Sequence, residues 1–369
     1  MKKELKNVFF GKTVLITGNS GFKGSWLTMW LKEMGAKVIG YSLPPETQPN
    51  LFEIAELEKE ITHITGDIRD LGTLSQVIDT HKPQVIFHLA AQAIVLNCFQ
   101  NPIDAFMTNA MGTTNLLEAC RKREFIQAIV VITTDKCYDN KEWDFGYREN
   151  DPLGGNDPYS ASKAMAEIAT ACYRSSFFSN GTPIATARAG NVIGGGDFSP
   201  FRLVPDSMKA LLNNEPIRLR NPHSTRPWMH VLDPLHGYLV LAKKLIEGGQ
   251  KYAEAWNFGP SERGGITTRA MVEKIIETWG RGNWIDMSES KHYPEMKMLQ
   301  LSSEKAANRL GWLPLYQWQE SLKATVDWFK AFEEYTKNPK QNNMQEFCIG
   351  QIRSFLKNLS FGFLSPDIQ

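Results

Sequence analysis

The chain has 369 residues, with 41 Lys and Arg against 40 Asp and Glu and a formal charge of +1. That length buries one large core or two adjoining ones. The balanced charge excludes a global field that would attract nucleic acid or an anionic membrane, so any anion must be held by local clusters.

The first residues, Met1 to Lys6, resemble the n-region of a signal peptide only superficially: Gly11 and Lys12 interrupt the apolar run behind them, and no small-residue cleavage site follows. Thr13–Thr17 reads as a buried strand. Residues 22–34 read as a helix with Trp26, Leu27, Trp30, Leu31 and Met34 on one face. Strands follow at 37–42, 61–65, 84–90, 127–133 and 183–189, the last entered through the Asn180-Gly181 turn. Helices near 71–80, 103–123 and 158–178 fill the gaps. This alternation predicts an α/β fold, a doubly wound parallel sheet of the Rossmann type covered on both faces.

After Gly190 the rhythm breaks. Glycines 194 to 196 and then Pro200, Pro205, Pro216, Pro222 and Pro227 punctuate shorter elements, among which Arg202, Lys209, Arg218, Arg220 and Arg226 are spread. Residues 232–257 read as a helix-strand passage back to the sheet. Residues from about 260 to 330 read as a small mixed α/β domain with helices at 268–279 and 318–332. The expected division is therefore a dinucleotide domain over 1–190 and 231–260, a substrate domain over 191–230 and 261–335, and a tail, 336–369, that carries no functional reading. No stretch approaches the roughly 18 uninterrupted apolar residues of a membrane span. Five cysteines, at 98, 120, 137, 172 and 348, include no Cys-x-x-Cys, the usage expected of reduced thiols in the cytoplasm. Seven histidines form no ligand-spaced cluster, so no structural metal is expected.

Gly18, Gly21 and Gly24 stand where the first strand turns into the first helix. Such a turn needs residues that tolerate positive φ, and the backbone there must approach a pyrophosphate at the helix N-terminus. Ser20, Phe22 and Lys23, between the glycines, are assigned to the same cofactor site. The second strand ends Gly40-Tyr41-Ser42-Leu43, with neither a carboxylate for ribose hydroxyls nor an arginine for a 2′-phosphate, so the residues leave NAD and NADP open. Asp67-Ile68 could flank the adenine, although an aspartate there is equally suited to capping a helix. Leu89, Ala90 and Ala91 end the fourth strand with the small residues that a cofactor, or a closely packed helix, requires.

Tyr159 and Lys163 form a Tyr-x-x-x-Lys pair, which puts phenol and ammonium one turn apart on a helix face. A nearby cation favours the phenolate that a proton-abstracting tyrosine needs. The fifth strand ends Thr133-Thr134-Asp135-Lys136-Cys137-Tyr138, beyond the carboxyl edge of the sheet where ligands bind. Thr134 could share a substrate oxygen with Tyr159, and Asp135 and Lys136 are a possible acid and base. The alternative is a helix cap followed by a solvated lysine.

Together these features resemble the extended short-chain dehydrogenase/reductase superfamily. Several stretches are similar to the CDP-glucose 4,6-dehydratases within it: residues 17–26, 133–138, 155–160, 188–197 and 219–222, with Arg226-Pro-Trp-Met-His230 after them. The similarity runs from about residue 10 to 335. The Asp-Lys pair at 135–136 separates this group from the dTDP-glucose dehydratases, which carry Asp-Glu. The resemblance implies NAD as cofactor, CDP-glucose as substrate and a homodimer. It implies that Tyr159 takes the 4-hydroxyl proton, its pKa lowered by Lys163, while C4 yields a hydride and Thr134 positions the hydroxyl. Lys136 then removes the C5 proton, Asp135 protonates the leaving 6-hydroxyl and the hydride returns to C6. A milder role for Lys136 is to orient Asp135. Asn191, Arg202, Arg220, Arg226 and His230 are the implied substrate contacts, with Asn191 and Arg226 foremost for the diphosphate. Two places depart from the family pattern. Leu96 and Cys98 stand near the active site where an arginine and then a Ser-Tyr pair are expected, and Pro294-Glu295 replaces His-Glu. A nucleotide-sugar 4-epimerase or reductase on the same scaffold is the competing enzyme reading, and it has no use for the Asp135-Lys136 pair. A non-catalytic dinucleotide-binding regulator would have no reason to keep Thr134, Tyr159 and Lys163 together.

Overall fold

In β1 (Thr13–Thr17), Val14 and Ile16 join one buried apolar cluster and Leu15 joins another, because successive side chains leave a strand on opposite faces. A strand apolar on both faces must be covered on both, and the rest of the chain supplies the cover. The computed structural model describes residues 2–261, 265–288, 298–339 and 341–362; the departure at Pro294 and Glu295 lies outside them. Besides β1, the central sheet contains β2 (Lys37–Ser42), β3 (Thr62–Thr65), β4 (Val85–His88), β5 (Ala128–Ile132), β6 (Ile184–Ala189) and the strand Ala255–Phe258. Their order is Ala255–Phe258, β6, β5, β4, β1, β2, β3, with every pairing parallel. The expected strands are present, most of them trimmed by a residue or two at their ends.

The strand order reverses at β1, whose Thr17 pairs with Tyr41 of β2 on one side and His88 of β4 on the other. A crevice opens at such a reversal, beyond the strands' carboxyl ends. A buried chain of side chains holds its two walls together: Thr17 Oγ1 and His88 Nδ1 are hydrogen-bonded at 2.7 Å, and His88 Nε2 and Thr113 Oγ1 at 3.0 Å.

The helix expected over 103–123 is three pieces: Pro102–Phe106, a π-turn at Met107–Met111, and Gly112–Cys120. π-turns are frequent at functional sites, and this one carries Asn109. Its amide receives the Gln92 N–H at 2.8 Å and donates to the Gln92 carbonyl at 3.1 Å and to Ser162 Oγ at 2.9 Å. The segment after β4 is thereby tied to the helix that carries Tyr159. A short helix at Val95–Gln100, not foreseen from the sequence, follows the same segment.

Beyond the sheet, three two-stranded pairs link distant stretches. Asn191–Ile193 pairs with Trp228–His230, Ile217–Leu219 with Trp284–Asp286, and Thr225–Arg226 with Ile266–Thr267. The first and last described helices are also built into the fold. α1 (Lys2–Phe9) buries Leu5 and Phe9, with the Phe9 and Phe87 rings 6.3 Å apart. The segment from 336, without a reading in the sequence, forms a helix at Met344–Gly362 whose Cys348, Ile352 and Phe355 are buried. Phe355 meets Trp30 of α2 (Phe22–Glu33) edge to face at 5.6 Å, and Arg353 pairs with Glu33 at 2.9 Å. Among the described residues no helix is long and apolar enough to cross a membrane.

Candidate active site

The crevice at the strand reversal is part of a cavity of about 1740 Å³. Single small-molecule sites are commonly about 300–1,000 Å³, so this one has room for two ligands side by side. One end is the glycine turn. Gly18 has φ 73°, and a β-carbon on it would stand 2.7 Å from the Ala90 nitrogen, so both its conformation and its neighbour exclude a larger residue. α2 starts at Phe22 with Gly21 as its cap and no side-chain hydrogen bond there. Its first N–H groups therefore face the cavity without a side-chain partner, a setting that suits an anion. Gly24 packs so close to the Gly18 carbonyl that a β-carbon would collide with it. Ser20, Phe22, Lys23, Leu89, Ala90 and Ala91 all line this end. These features fit a dinucleotide's pyrophosphate.

Asp67 and Ile68 line the far rim. The helix cap that Asp67 could have been is Asp70, whose Oδ1 accepts the Thr73 N–H at 3.0 Å. Asp67 instead binds Arg69 at 2.6 Å, and that guanidinium also reaches Asp104 at 3.1 Å. The hydrogen bond from Arg69 holds the Asp67 carboxyl below its usual range against the opposing effect of burial. With two carboxylates on it, Arg69 is poorly placed to clamp a 2′-phosphate. Ser42, at the end of β2, donates to Asn19 Oδ1 at 3.0 Å and to Ser20 Oγ at 2.9 Å. Asn19 fits only because Gly40 presents no side chain to it, a requirement that the three-glycine pattern does not reveal.

The chemistry-bearing groups meet at the middle of the cavity. β5 stops at Ile132, and Thr134 caps the short turn Asp135–Cys137, its Oγ1 receiving the Lys136 N–H at 3.3 Å. The same hydroxyl donates to Asp135 Oδ1 at 3.0 Å. Capping and cavity-lining are thus the same residue's work, and the two readings of this segment were not exclusive. Asp157 caps the helix Pro158–Ser176 by accepting the Ser160 N–H at 3.0 Å, which puts Tyr159 in its first turn, facing Thr134. Lys136 Nζ lies 6.0 Å from the Tyr159 ring centre. Lys163, one turn further along, donates to the Ile132 carbonyl at 3.2 Å. All five side chains line the cavity.

The electrostatics differ from the expectation in one respect. Burial pushes the Tyr159 phenol up to about 12, and Asp135 adds to the rise; hydrogen bonding with Thr134 and the charge of Arg202 pull the other way. Lys163 does not set the balance, because burial lowers it to about 8 and its ammonium is turned to a main-chain carbonyl. Burial raises the Asp135 carboxyl, opposed by Lys136, Thr134 and Lys23, and a raised carboxyl is suited to donating a proton. Lys23 is lowered to about 8, first by burial and then by Arg202 and Lys163.

Asn191, Arg202, Arg220 and Arg226 line the other half of the cavity. Arg202 binds Asp197 at 3.2 Å and donates to the Ala93 carbonyl at 3.2 Å, bridging the two lips. Leu96 also lines the cavity, while Cys98 is buried. His230 is a correction. It lies in the core between Trp26 and Tyr316, with ring centres at 6.4 and 5.5 Å, and burial lowers it to about 3. The wall residue of that strand is Trp228. Arg188 is likewise interior, ion-paired with Glu167 at 2.8 Å. Sequence reasoning missed Gly190, where a β-carbon would stand 2.7 Å from Asp135 Oδ2. Among the described residues no group of His, Cys, Asp and Glu is arranged to hold a metal ion.

Known proteins share both the sequence and the architecture. A CDP-glucose 4,6-dehydratase of Salmonella typhimurium is 46% identical over 334 residues, which cover 89% of this chain and 93% of that one. The dTDP-glucose 4,6-dehydratase of Bacillus anthracis, solved in complex with NAD, superposes with a TM-score of 0.72 at 25% identity, covering 88% of this chain and 98% of that one. A UDP-glucose 4-epimerase from Thermus thermophilus, also solved with NAD, gives 0.73 at 25% identity, with coverage of 86% and 99%. The family model described as GDP-mannose 4,6 dehydratase matches residues 15–325. With most of its length matched in this way, the chain belongs to the GDP-mannose 4,6-dehydratase family.

Proposed function

We propose that the chain dehydrates CDP-glucose to CDP-4-keto-6-deoxyglucose with NAD as its cofactor. One observation carries the reading: Thr134, Asp135, Lys136 and Tyr159 line a single cavity beside the glycine turn, in a chain 46% identical to a CDP-glucose 4,6-dehydratase. Held at the glycine turn by Gly18, Gly21 and Gly24, NAD would supply the hydride acceptor and donor that moves hydrogen from C4 to C6. Tyr159 accepts the 4-hydroxyl proton, and Thr134 fixes the hydroxyl. The resulting 4-ketone acidifies C5, Lys136 removes that proton, and Asp135, whose carboxyl burial raises, is the acid that protonates the departing 6-hydroxyl. Lys163, one turn along the same helix and bonded to the Ile132 carbonyl, is assigned to holding the cofactor beside Tyr159. Asn191, Arg202, Arg220 and Arg226 are assigned to the nucleoside diphosphate, for which a planar guanidinium is a fitting bidentate donor.

A division into a cofactor domain over 1–190 and 231–260 and a substrate domain over 191–230 and 261–335 fits the three strand pairs that tie 191–230 to itself and to 261–286. A homodimer is supported by Ile103, Met107, Met111, Met165 and Ile168, exposed apolar residues on two adjoining helical segments, a surface that a second copy would cover. Five free thiols, four of them buried, support a reducing compartment such as the cytoplasm.

Turnover of CDP-glucose in D₂O is expected to give a 4-keto-6-deoxy sugar with deuterium at C5 and the original C4 hydrogen at C6. Recovery of CDP-galactose would favour an epimerase, and no turnover with NAD supplied would reject both. Comparison of CDP-, dTDP-, UDP- and GDP-glucose should give the highest kcat/KM with CDP.

A further inference from the structure

The dehydratase reading, on which this inference rests, asks Asp135 and Lys136 to act from a turn that is weakly held by its own bonds. Asp135–Cys137 is a single 3₁₀ turn, too short to gain from the cooperativity of a longer helix. The Cys137 N–H reaches the Thr134 carbonyl, and the Tyr138 N–H the Asp135 carbonyl, at 3.4 Å each. Bonds of this kind are ordinarily about 2.9–3.0 Å. What fixes the acid-base pair against a sugar must therefore come from outside the turn.

Tyr138, the next residue, supplies it. It is fully buried, and its hydroxyl donates to Asn257 Oδ1 at 2.8 Å while accepting from Arg188 Nη1 at 2.7 Å. The Arg188 guanidinium lies 4.9 Å from the ring centre, and the Tyr147 ring is stacked on it at 5.0 Å. Arg188 and Asn257 face one another in register across β6 and the strand Ala255–Phe258. Their side chains therefore leave the sheet on one face. Both are held in turn. Arg188 is paired with Glu167 at 2.8 Å, and the Asn257 amide donates to the Tyr147 and Ser302 carbonyls at 2.8 and 3.2 Å. A phenol can give one hydrogen bond and receive others, and this one uses both capacities away from solvent. Burial raises it, so it stays a phenol and keeps its donor.

We propose that Tyr138 is a positioning residue for the elimination, its hydroxyl pinning the turn that carries Asp135 and Lys136 to the sheet. The Gly154 N–H on the Cys137 carbonyl and the Asp139 N–H on the Pro152 carbonyl, both at 2.9 Å, tie the same stretch to the neighbouring loop. The phenol ties it to two strands. The oxidation at C4 depends instead on Tyr159 and on the cofactor at the glycine turn, and the Tyr138 hydroxyl bonds to neither.

The test is Tyr138→Phe, which keeps the ring and removes the hydroxyl, mixed rapidly with CDP-glucose in the presence of NAD. Oxidation is expected within about twofold of wild type and elimination about 10- to 100-fold slower, the upper figure being the loss for a misplacement of about 1 Å. Reduced nicotinamide should then accumulate above the wild-type level, seen as near-ultraviolet absorbance. Asn257→Leu removes the phenol's acceptor from the other side and should accumulate it too. Thr186→Val is the control for stability alone, since that hydroxyl donates to Glu167 at 2.7 Å in the same buried network without meeting Tyr138. It should lower the urea midpoint with no such accumulation. Unchanged kinetics or equal slowing of both steps in Tyr138→Phe, or accumulation in Thr186→Val as well, overturns the positioning role and leaves the dehydratase reading standing. A wild type that makes no 4-keto-6-deoxy sugar from CDP-glucose overturns that reading instead.

Discussion

Asp135 Oδ2 fills the space that a β-carbon on Gly190 would need, with 2.7 Å between the two positions. The residue after β6 thus sets where the acid on the turn after β5 can stand. Gly190→Ala is expected to displace the carboxyl by a fraction of an ångström and lower kcat by about 10²-fold, the order seen when a reacting group is misplaced on that scale. NAD affinity, read by fluorescence titration, should be unchanged; a kcat within twofold of wild type would contradict the packing argument.

Lys136 and Asp135 divide the elimination between them, so their removal should stall different steps. Lys136→Met is expected to leave the first oxidation intact and block proton loss at C5. Reduced nicotinamide should then accumulate on mixing with substrate, seen as near-ultraviolet absorbance, with loss of C5 exchange in D₂O. Undiminished product formation would remove Lys136 from the role of base.

The Arg188–Glu167 pair is almost fully buried, and Thr133 and Thr186 hydroxyls also donate to that carboxylate. Removing one member strands the other charge. Arg188→Met is expected to cost about 3–5 kcal/mol of folding stability, read by urea denaturation. The double variant Arg188→Met with Glu167→Gln should recover more than half of the loss, and no recovery would mean that the pair acts through packing alone.

Burial lifts the Asp233 carboxyl to about 7, well above the value near 4 of an unfolded chain. The folded state thus keeps a proton that the unfolded chain releases. This contribution to stability is complete below about pH 4, is lost as pH rises to about 7, and is constant beyond. The span is worth about 4 kcal/mol at most. His230 and His236, buried in the neutral form, act in the opposite sense, their contribution falling away as pH drops below about 6.5. The difference in Tm between Asp233→Asn and wild type isolates the carboxyl, and it should move in favour of the variant from pH 5 to pH 8. A pH-independent difference would show that the group is not titrating there.

Much of this was legible in the chain. The β-α rhythm located the sheet because strands apolar on both faces leave a continuous signal, and the motif residues led to the cavity because strand ends in such a sheet converge there. What stayed hidden depends on side chains far apart in sequence. Nothing near Gly190 or Gly40 announces Asp135 or Asn19 as the neighbour each must accommodate. The π-turn at Met107–Met111 is held by Asn109 against Gln92 and Ser162, contacts that local periodicity does not encode. His230 was misplaced because proximity to Arg226 in the motif says nothing about which groups on the same stretch reach solvent. Lys163 was expected to control Tyr159, but the hydrogen bond from its ammonium to Ile132 could be found only in three dimensions.

The helix Met344–Gly362 lies against α2, and its Phe355 covers Trp30 on the element that begins at the glycine turn. A growing polypeptide therefore cannot complete the packing of its first nucleotide-binding unit until more than 300 further residues have been synthesised. During translation α2 must wait with its Trp30 face uncovered.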